Sequence, residues 1–333
     1  MKYYLGVDVG GTKTDTYIAN QDGEILGFGR SGPGNPQHVG YDGLRATLLS
    51  GLGQALGQAG ISAAQICGAG LGIAGYDWPS ALPRMRATVA TLGLGGDFQI
   101  VNDTIPGLVA GATDGWGISI ISGTGCNCRG WNKDHTREGR VTGYGEVMGE
   151  AGGAIEVVIR AMHTIGYAWG KRIAPTALSD AFIAYAGASD LEDLVEGYTE
   201  HRYPIGPAAA PLVIAAAQQG DPQAIEIMRW AGHQLGEMAC SVTRQLEFEQ
   251  LAFDVVMVGS MFLNNPLMTA AMRETIHALA PAARLLPLDA PPVMGSVLIG
   301  MEQGGLPITP GLRQTLVNNL RAAIHQTQSA KGK

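Results

Sequence analysis

The chain has 333 residues, 46% of them apolar and 15% charged, enough for two domain-sized cores and too apolar for a disordered or fibrous protein. A formal net charge of −7 and the lack of a Lys/Arg run argue against a nucleic-acid partner, so an anionic ligand has to be held locally. With no apolar run of bilayer length and no leader before the first strand, the reading is a cytoplasmic protein with no membrane contact. The four cysteines are too scattered for a disulfide framework and are expected to be reduced.

The chain opens on a meander. Strand-forming residues from Tyr3 carry one carboxylate, Asp8, and break at Gly10-Gly11 into "TKT". Alternation in "TDTYIA" and "ILGFG" adds two further strands. The Gly-rich turn fails as a Walker A loop because Thr12 stands where Lys is needed and Lys13 comes one place late. Another phosphate loop fits better. Amides of Gly10 to Thr12 and the hydroxyls of Thr12 and Thr14 would hold the outer phosphates, with Lys13 beside them, and Asp8 would bind Mg²⁺ between carboxylate and phosphate. A plain Gly/Thr hairpin is the alternative.

"YDGLRATLLSGLGQAL" then predicts a helix with Leu44, Leu48, Leu52 and Leu56 on one face, and "QICGAGLGIAG" and "FQIVND" predict strands with a helical piece between them from Trp78 to Leu92. This alternation points to an α/β layered fold. "GLGIAG" matches GxGxxG formally. It lies far from the first strand and runs into "YDWP", so it reads as a strand end with a close-packed loop and not as a dinucleotide site. "VNDTIPG" places Asn102 and Asp103 at a strand end, where Asp103 suits a general base and Asn102 a sugar hydroxyl; Asp103 as a plain helix N-cap is the alternative.

A second meander follows in "GISIISGTGCNCRGWNKDHTREGRV". Thr12 precedes Asp22 by ten positions and Thr124 precedes Asp134 by the same ten, which suggests an internal duplication. Its turn, Gly123-Thr124-Gly125, would reach a phosphate without a metal; a tight hairpin with no ligand is the alternative. "GYGEVMGEAGGA" offers Glu146 and Glu150 to a sugar or to its own turn. After about Gly152 the chain turns helical, with a long helix from Pro222 capped by Asp221. "FDVVMVGSMF" is an apolar strand ending in Gly259-Ser260, helices follow from about Asn265, Met294 and Pro310, and "QTQSAKGK" reads as a frayed tail.

"DVGGTKT", "VNDT", "ISGTGCNCRG", "GYGEVMGEAGG", "VMVGSMF" and "PVMGSVLIGM", in this order from about residue 3 to 305, resemble the sugar kinases of the actin, hexokinase and Hsp70 superfamily, most closely the N-acetylglucosamine kinase group of the BadF/BadG/BcrA/BcrD ATPase family. The resemblance implies an α/β fold of two duplicated ribonuclease H-like domains, 1–112 and 113–304, with a central cleft, the first completed by a helix from 305–330. It implies ATP and Mg²⁺ as cofactors, transfer of the γ-phosphate to the 6-hydroxyl of an amino sugar, N-acetylglucosamine first and glucosamine next, and a homodimer. By position it makes Asp8 the metal residue and Asp103 the base. It gives Gly10 to Thr14, Gly123 to Gly125, Gly259 and Ser260 to the nucleotide, and Asn35 of "GNP", Gly75, Asn102, Glu146 and Glu150 to the sugar. Where the group shows Gly-Asp-Glu-Gly, this chain has Gly149-Glu150-Ala151-Gly152. The same family includes ATPases that drive a partner protein, the alternative function.

Overall fold

The computed structural model describes residues 1–331, with side chains through Ala323; Gly332 and Lys333, the end of the expected tail, lie outside the described residues. Two compact units emerge, one of residues 1–119, 131–136 and 286 onward, the other of 120–130 and 137–285.

The first unit is built on the meander β1 (Tyr3–Val9), β2 (Thr14–Asn20) and β3 (Ile25–Ser31), followed by α1 (Pro36–Ala59), β4 (Ile66–Ile73), α2 (Leu82–Ala90), β5 (Asp97–Asn102) and α3 (Thr104–Gly111). The sheet order is β3-β2-β1-β4-β5, with β1/β2 and β2/β3 antiparallel and β1/β4 and β4/β5 parallel. Parallel neighbours need crossovers, which α1 and α2 provide. The expected leucine stripe is real: Leu44, Leu48 and Leu52 are buried with Leu5, Ile18, Leu71 and Ile73 in one core. The helix begins a turn earlier than its apolar period suggests, at Pro36, and breaks at Gly40 (φ 70°, ψ 174°) before the amphipathic stretch.

The second unit carries the later strands β6 (Gly117–Ser122), β7 (Cys126–Trp131), β8 (Glu138–Arg140), β9 (Asp254–Val258) and β10 (Arg284–Pro287) in the order β10-β9-β6-β7-β8. Read from its other edge, this is the order of the first sheet: third, second, first, fourth, fifth. The duplication suggested by the two Gly-Thr turns is therefore a duplication of topology. Between β8 and β9 stand α4 (Ala154–Trp169), α5 (Ala177–Ala186), α6 (Leu191–Thr199), α7 (Ala210–Gln218) and α8 (Pro222–Leu246), and α9 (Pro266–Leu279) joins β9 to β10. Asp221 caps α8 through Ala224 N at 2.9 Å and also accepts from Ala177 N and Thr176 Oγ1, tying the starts of α5 and α8 together.

After β10 come α10 (Val293–Gln303) and α11 (Pro310–Lys331), both in the first unit. Helix α10 lies directly on β1 and β4, and glycines make that approach possible. A methyl group on Gly70 would sit 2.8 Å from Ile299 Cβ and 3.0 Å from the Gly300 nitrogen; one on Gly6 would strike Val297, and one on Gly68 the backbone at Gly300 and Gly304. The GxGxxG-like run is thus a helix-packing surface: Gly70 and Gly72 are covered by α10 and by Pro106 of α3. Gly70→Ala is expected to lower the unfolding free energy by about 1–3 kcal/mol or more, since backbone as well as side chains has to give way. Urea denaturation measures it, and an unchanged midpoint would contradict the packing.

Candidate active site

In the first unit, β1, β4 and β5 present their carboxyl ends side by side, the edge where parallel sheets take ligands. Asp8 pairs in register with Gly72 of β4, and Gly72 lies against the Cα of Asp103, so the two carboxylates sit one strand apart. Burial pushes the Asp8 carboxyl up to about 7, the charges of Asp103 and then Asp15 push the same way, and Lys13 opposes them. Desolvated acids pressing on one another resist ionisation and favour a cation among them. One or two carboxylates on an open strand edge suit a hard divalent ion such as Mg²⁺, which keeps much of its water, and Asp8 could hold one. Among the described residues no group of three or more acidic, His or Cys side chains forms a metal cluster, so such an ion would take its remaining ligands from water and phosphate.

The turn after β1 closes with Gly10 N donating to Lys13 O at 2.9 Å, leaving Gly11 and Thr12 exposed. Nothing stands within 4 Å of a side chain built on Gly11, so its backbone is open to a ligand. Two of the expected loop residues face elsewhere. The Lys13 ammonium bonds Asp15 at 2.9 Å, beside the Arg30 fork on the same carboxylate, and the Thr14 hydroxyl is fully buried against Gly34 with no hydrogen-bond partner.

Asp103 is the N-cap residue of α3 yet makes no side-chain capping bond. The neighbouring Asn102 takes that task, its Oδ1 accepting from Thr104 N at 3.0 Å. The other end of the Asn102 amide donates to Tyr76 O at 3.2 Å and Asp77 Oδ1 at 3.3 Å, and Asp77 Oδ2 accepts from Gln37 Nε2 at 2.9 Å. Asn35 caps α1 by accepting from Gln37 N at 2.9 Å, and its amide lies against Gly75, whose φ of 81° suits glycine. Asn35, Gly75, Asn102 and Asp103 therefore share one polar edge. Asp77, buried at its centre, was not singled out from sequence; the signal was a "YD" directly after an apolar strand.

In the second unit the loop Gly123-Thr124-Gly125 is closed by Gly123 N donating to Gly125 O at 2.9 Å. Helix α4 starts against it: Ala154 N donates to Gly123 O at 2.8 Å and Ile155 N to Thr124 O at 3.0 Å, which fixes the loop through two amides that a helix start leaves unpaired. A side chain on Gly153 would run into Gly125. Gly259 follows β9 at φ 114°, with its α-carbon facing Ser122 O too closely for any side chain, and Gly259 and Ser260 are both exposed beside the loop. These four glycines and Ser260 form one group. Gly259→Ala combines a disfavoured backbone angle with a clash, and it is expected to lower the unfolding free energy by about 1–3 kcal/mol; urea denaturation checks this.

Glu150 is buried, and both its oxygens are taken by backbone amides: Thr142 N at 2.5 Å, Gly143 N at 2.8 Å and Tyr144 N at 3.1 Å. What it offers a ligand is the loop it holds. Glu150→Gln replaces one accepting oxygen with a donor facing a donor, for an expected loss of about 1–3 kcal/mol, readable by denaturation and by faster proteolysis at 142–148. Glu146 is exposed on the following short turn, and its charge helps burial raise the Glu156 carboxyl. Cys126 and Cys128, on β7, are free thiols; burial pushes Cys126 up to about 12 and raises Cys128 well above the usual thiol range, so neither is a ready thiolate.

Comparisons place this architecture. The chain is 25% identical over 308 residues to the N-acetylmuramic acid/N-acetylglucosamine kinase of Clostridium acetobutylicum, spanning 91% of this chain and 99% of the relative. It is 25% identical over 316 residues to the N-acetyl-D-glucosamine kinase of Dictyostelium discoideum, spanning 90% and 98%. The crystal structure of a candidate N-acetylglucosamine kinase from Chromobacterium violaceum superposes with a TM-score of 0.63 at 23% identity, over 90% of this chain and 99% of that one. The fold is the duplicated α/β architecture of the actin-like ATPases. The model of the BadF/BadG/BcrA/BcrD ATPase family matches residues 5–283, and the chain belongs to that family.

Proposed function

We propose that this protein is an ATP-dependent kinase that transfers the γ-phosphate to the 6-hydroxyl of an amino sugar, N-acetylglucosamine before glucosamine. The observation that carries the reading is the place of Asp103, a carboxylate at the carboxyl end of β5 beside Asp8 of β1, with the side-chain cap of α3 made by Asn102. Two relatives named as kinases of N-acetylated amino sugars, aligned over nine-tenths of the chain, support the acceptor class.

In this reading Asp103 accepts the proton of the attacking hydroxyl late in a loose transition state, a task for which a carboxylate is basic enough. Asn102 and Asp77 fix the strand end that carries it, and Asn35 and Gly75 line the sugar. In the second unit, Glu146 is exposed and available to a ligand, and Glu150 holds the 142–144 turn in shape. The open amides around Gly11 and Thr12 take phosphate oxygens in the first unit. In the second, Gly123 to Gly125 do the same, and Gly259 and Ser260 lie along the nucleoside. Mg²⁺ at Asp8 would supply the charge that lets the carboxylate ionise beside phosphate. We place the protein in the cytoplasm as a homodimer; among the described residues no helix is long and apolar enough to cross a membrane.

The test is ADP release from MgATP with glucosamine, N-acetylglucosamine, N-acetylmannosamine, glucose or no sugar. Strong stimulation by one amino sugar is expected. Equal release with and without every sugar would overturn the reading in favour of an ATPase that drives a partner.

A further inference from the structure

Asp77 lies buried in the turn between β4 and α2, and its two oxygens reach different parts of the chain. Oδ1 accepts from Asn102 Nδ2 at 3.3 Å, twenty-five residues away, and Oδ2 accepts from Gln37 Nε2 at 2.9 Å, forty residues away. Each partner passes the contact on to a helix start. Asn102 Oδ1 accepts from Thr104 N at 3.0 Å and opens α3 around Asp103, while Gln37 N donates to Asn35 Oδ1 at 2.9 Å and opens α1 at Asn35. The same two amides hold the turn itself, Asn102 Nδ2 donating to Tyr76 O at 3.2 Å and Gln37 Nε2 to Gly75 O at 3.3 Å.

Chemistry and placement both argue that this carboxylate does more than fill space. The groups facing it are N–H donors on both sides, so each oxygen has to accept, and a carboxylate is the side chain of this length that offers two acceptors. An apolar residue would cost less to bury, but it would leave both amides unmatched. The segments joined are those that bring Asn35, Gly75 and Asp103 to one edge. Backbone bonds tie two of them to β1 and its turn, Gly34 N donating to Gly10 O at 3.1 Å and Ala74 N to Val9 O at 2.9 Å.

We propose that Asp77 is a positioning residue: it fixes the spacing between the start of α1, with Asn35, and the start of α3, with Asp103, so that the sugar hydroxyl and not water meets the phosphate. It acts through Gln37 and Asn102, not on the reacting atoms. The inference rests on the kinase reading for the groups it positions and on the hydrogen bonds alone for the bridge.

The experiment compares the wild type with Asp77→Ala, Asp77→Asn and Gln37→Ala in two measurements. Hydrogen exchange on the ligand-free protein is expected to speed up about threefold to tenfold at the starts of α1 and α3 together, as for loss of a shared hydrogen bond. Kinetics with MgATP and the best sugar of the ADP-release test is expected to show kcat lowered about 10- to 100-fold in Asp77→Ala, with more ADP formed per sugar phosphate than in the wild type. The KM for MgATP should stay within about twofold. Asp77→Asn, which keeps one acceptor, should fall between. A mere loss of folded enzyme lowers kcat without moving the ratio of ADP to sugar phosphate. Gln37 is exposed, so Gln37→Ala cuts the bridge without opening the core and gives the same readouts, in the same direction, should an Asp77 variant fail to fold. Faster exchange at one helix start only, or a kcat loss with an unchanged ratio, overturns the proposal. If the wild type phosphorylates no sugar, the kinase reading fails by itself, and the exchange at the two helix starts decides the bridge.

Discussion

Asp103→Asn is expected to reduce sugar-dependent ADP formation by about 10²- to 10⁴-fold while leaving the fold intact. The two halves of this expectation rest on different bonds. The cap of α3 belongs to Asn102, whose Oδ1 receives Thr104 N, so the carboxylate at 103 can become an amide without opening the helix. The amide keeps the shape of the acid and cannot take a proton, so the loss should fall on kcat, with the KM for ATP little changed. A thermal melt alongside the kinetics separates the two halves. Turnover within a few-fold of wild type would remove Asp103 from the chemistry. A collapsed melting temperature would mean that its place in α3 is structural after all.

Asp8→Asn should have opposite effects on activity and on stability. Activity is expected to fall by about 10²-fold or more, because in the proposed reading the variant loses the charge that would meet the metal beside the phosphates. Stability of the ligand-free protein is expected to rise at and above neutral pH. The folded chain raises the Asp8 carboxyl from 3.8 to about 7, chiefly by burial, so the folded state binds the proton more tightly than the unfolded one. The contribution of this group is then fully present below about pH 4 and is lost as pH rises through about 7. Three pK units set a ceiling of about 4 kcal/mol for the total change. Urea melts of wild type and variant at pH 5 and pH 8, without ligand, should show the variant gaining on the wild type at the higher pH. Parallel curves would place Asp8 in water, contrary to its position between β2 and β4. Adding MgATP at pH 8 should stabilise the wild type more than the variant, since the ligand selects the ionised carboxylate.

Local pattern carries much of this molecule. Alternation and glycine turns mark both meanders, the ten-residue spacing from Thr12 to Asp22 and from Thr124 to Asp134 marks their kinship, and the two sheets share one strand order. The leucine stripe of α1 and the cap of α8 follow from period and from Asp-Pro chemistry, both read within a few residues. Asp8 and Asp103 are legible for the same reason, since each is a polar residue where an apolar strand ends.

What depends on partners far along the chain was not legible. Which of Asn102 and Asp103 caps α3 is decided by the αR backbone at 103 and by Asp77, twenty-five residues away, holding the other end of the Asn102 amide. Glu150 among glycines reads as a ligand for sugar; only the curl of 142–144 shows three backbone amides aimed at it. The run "GLGIAG" has one local signature whether a pyrophosphate or a helix lies against it, and the fold answers with α10, more than two hundred residues later, settled onto Gly68 and Gly70. The sequence by itself determined the elements, their duplication and the acids at the strand ends, because these follow from neighbours in the chain. The tertiary structure alone decided which polar groups are spent on one another and which remain for a ligand, because each of those pairings joins distant segments.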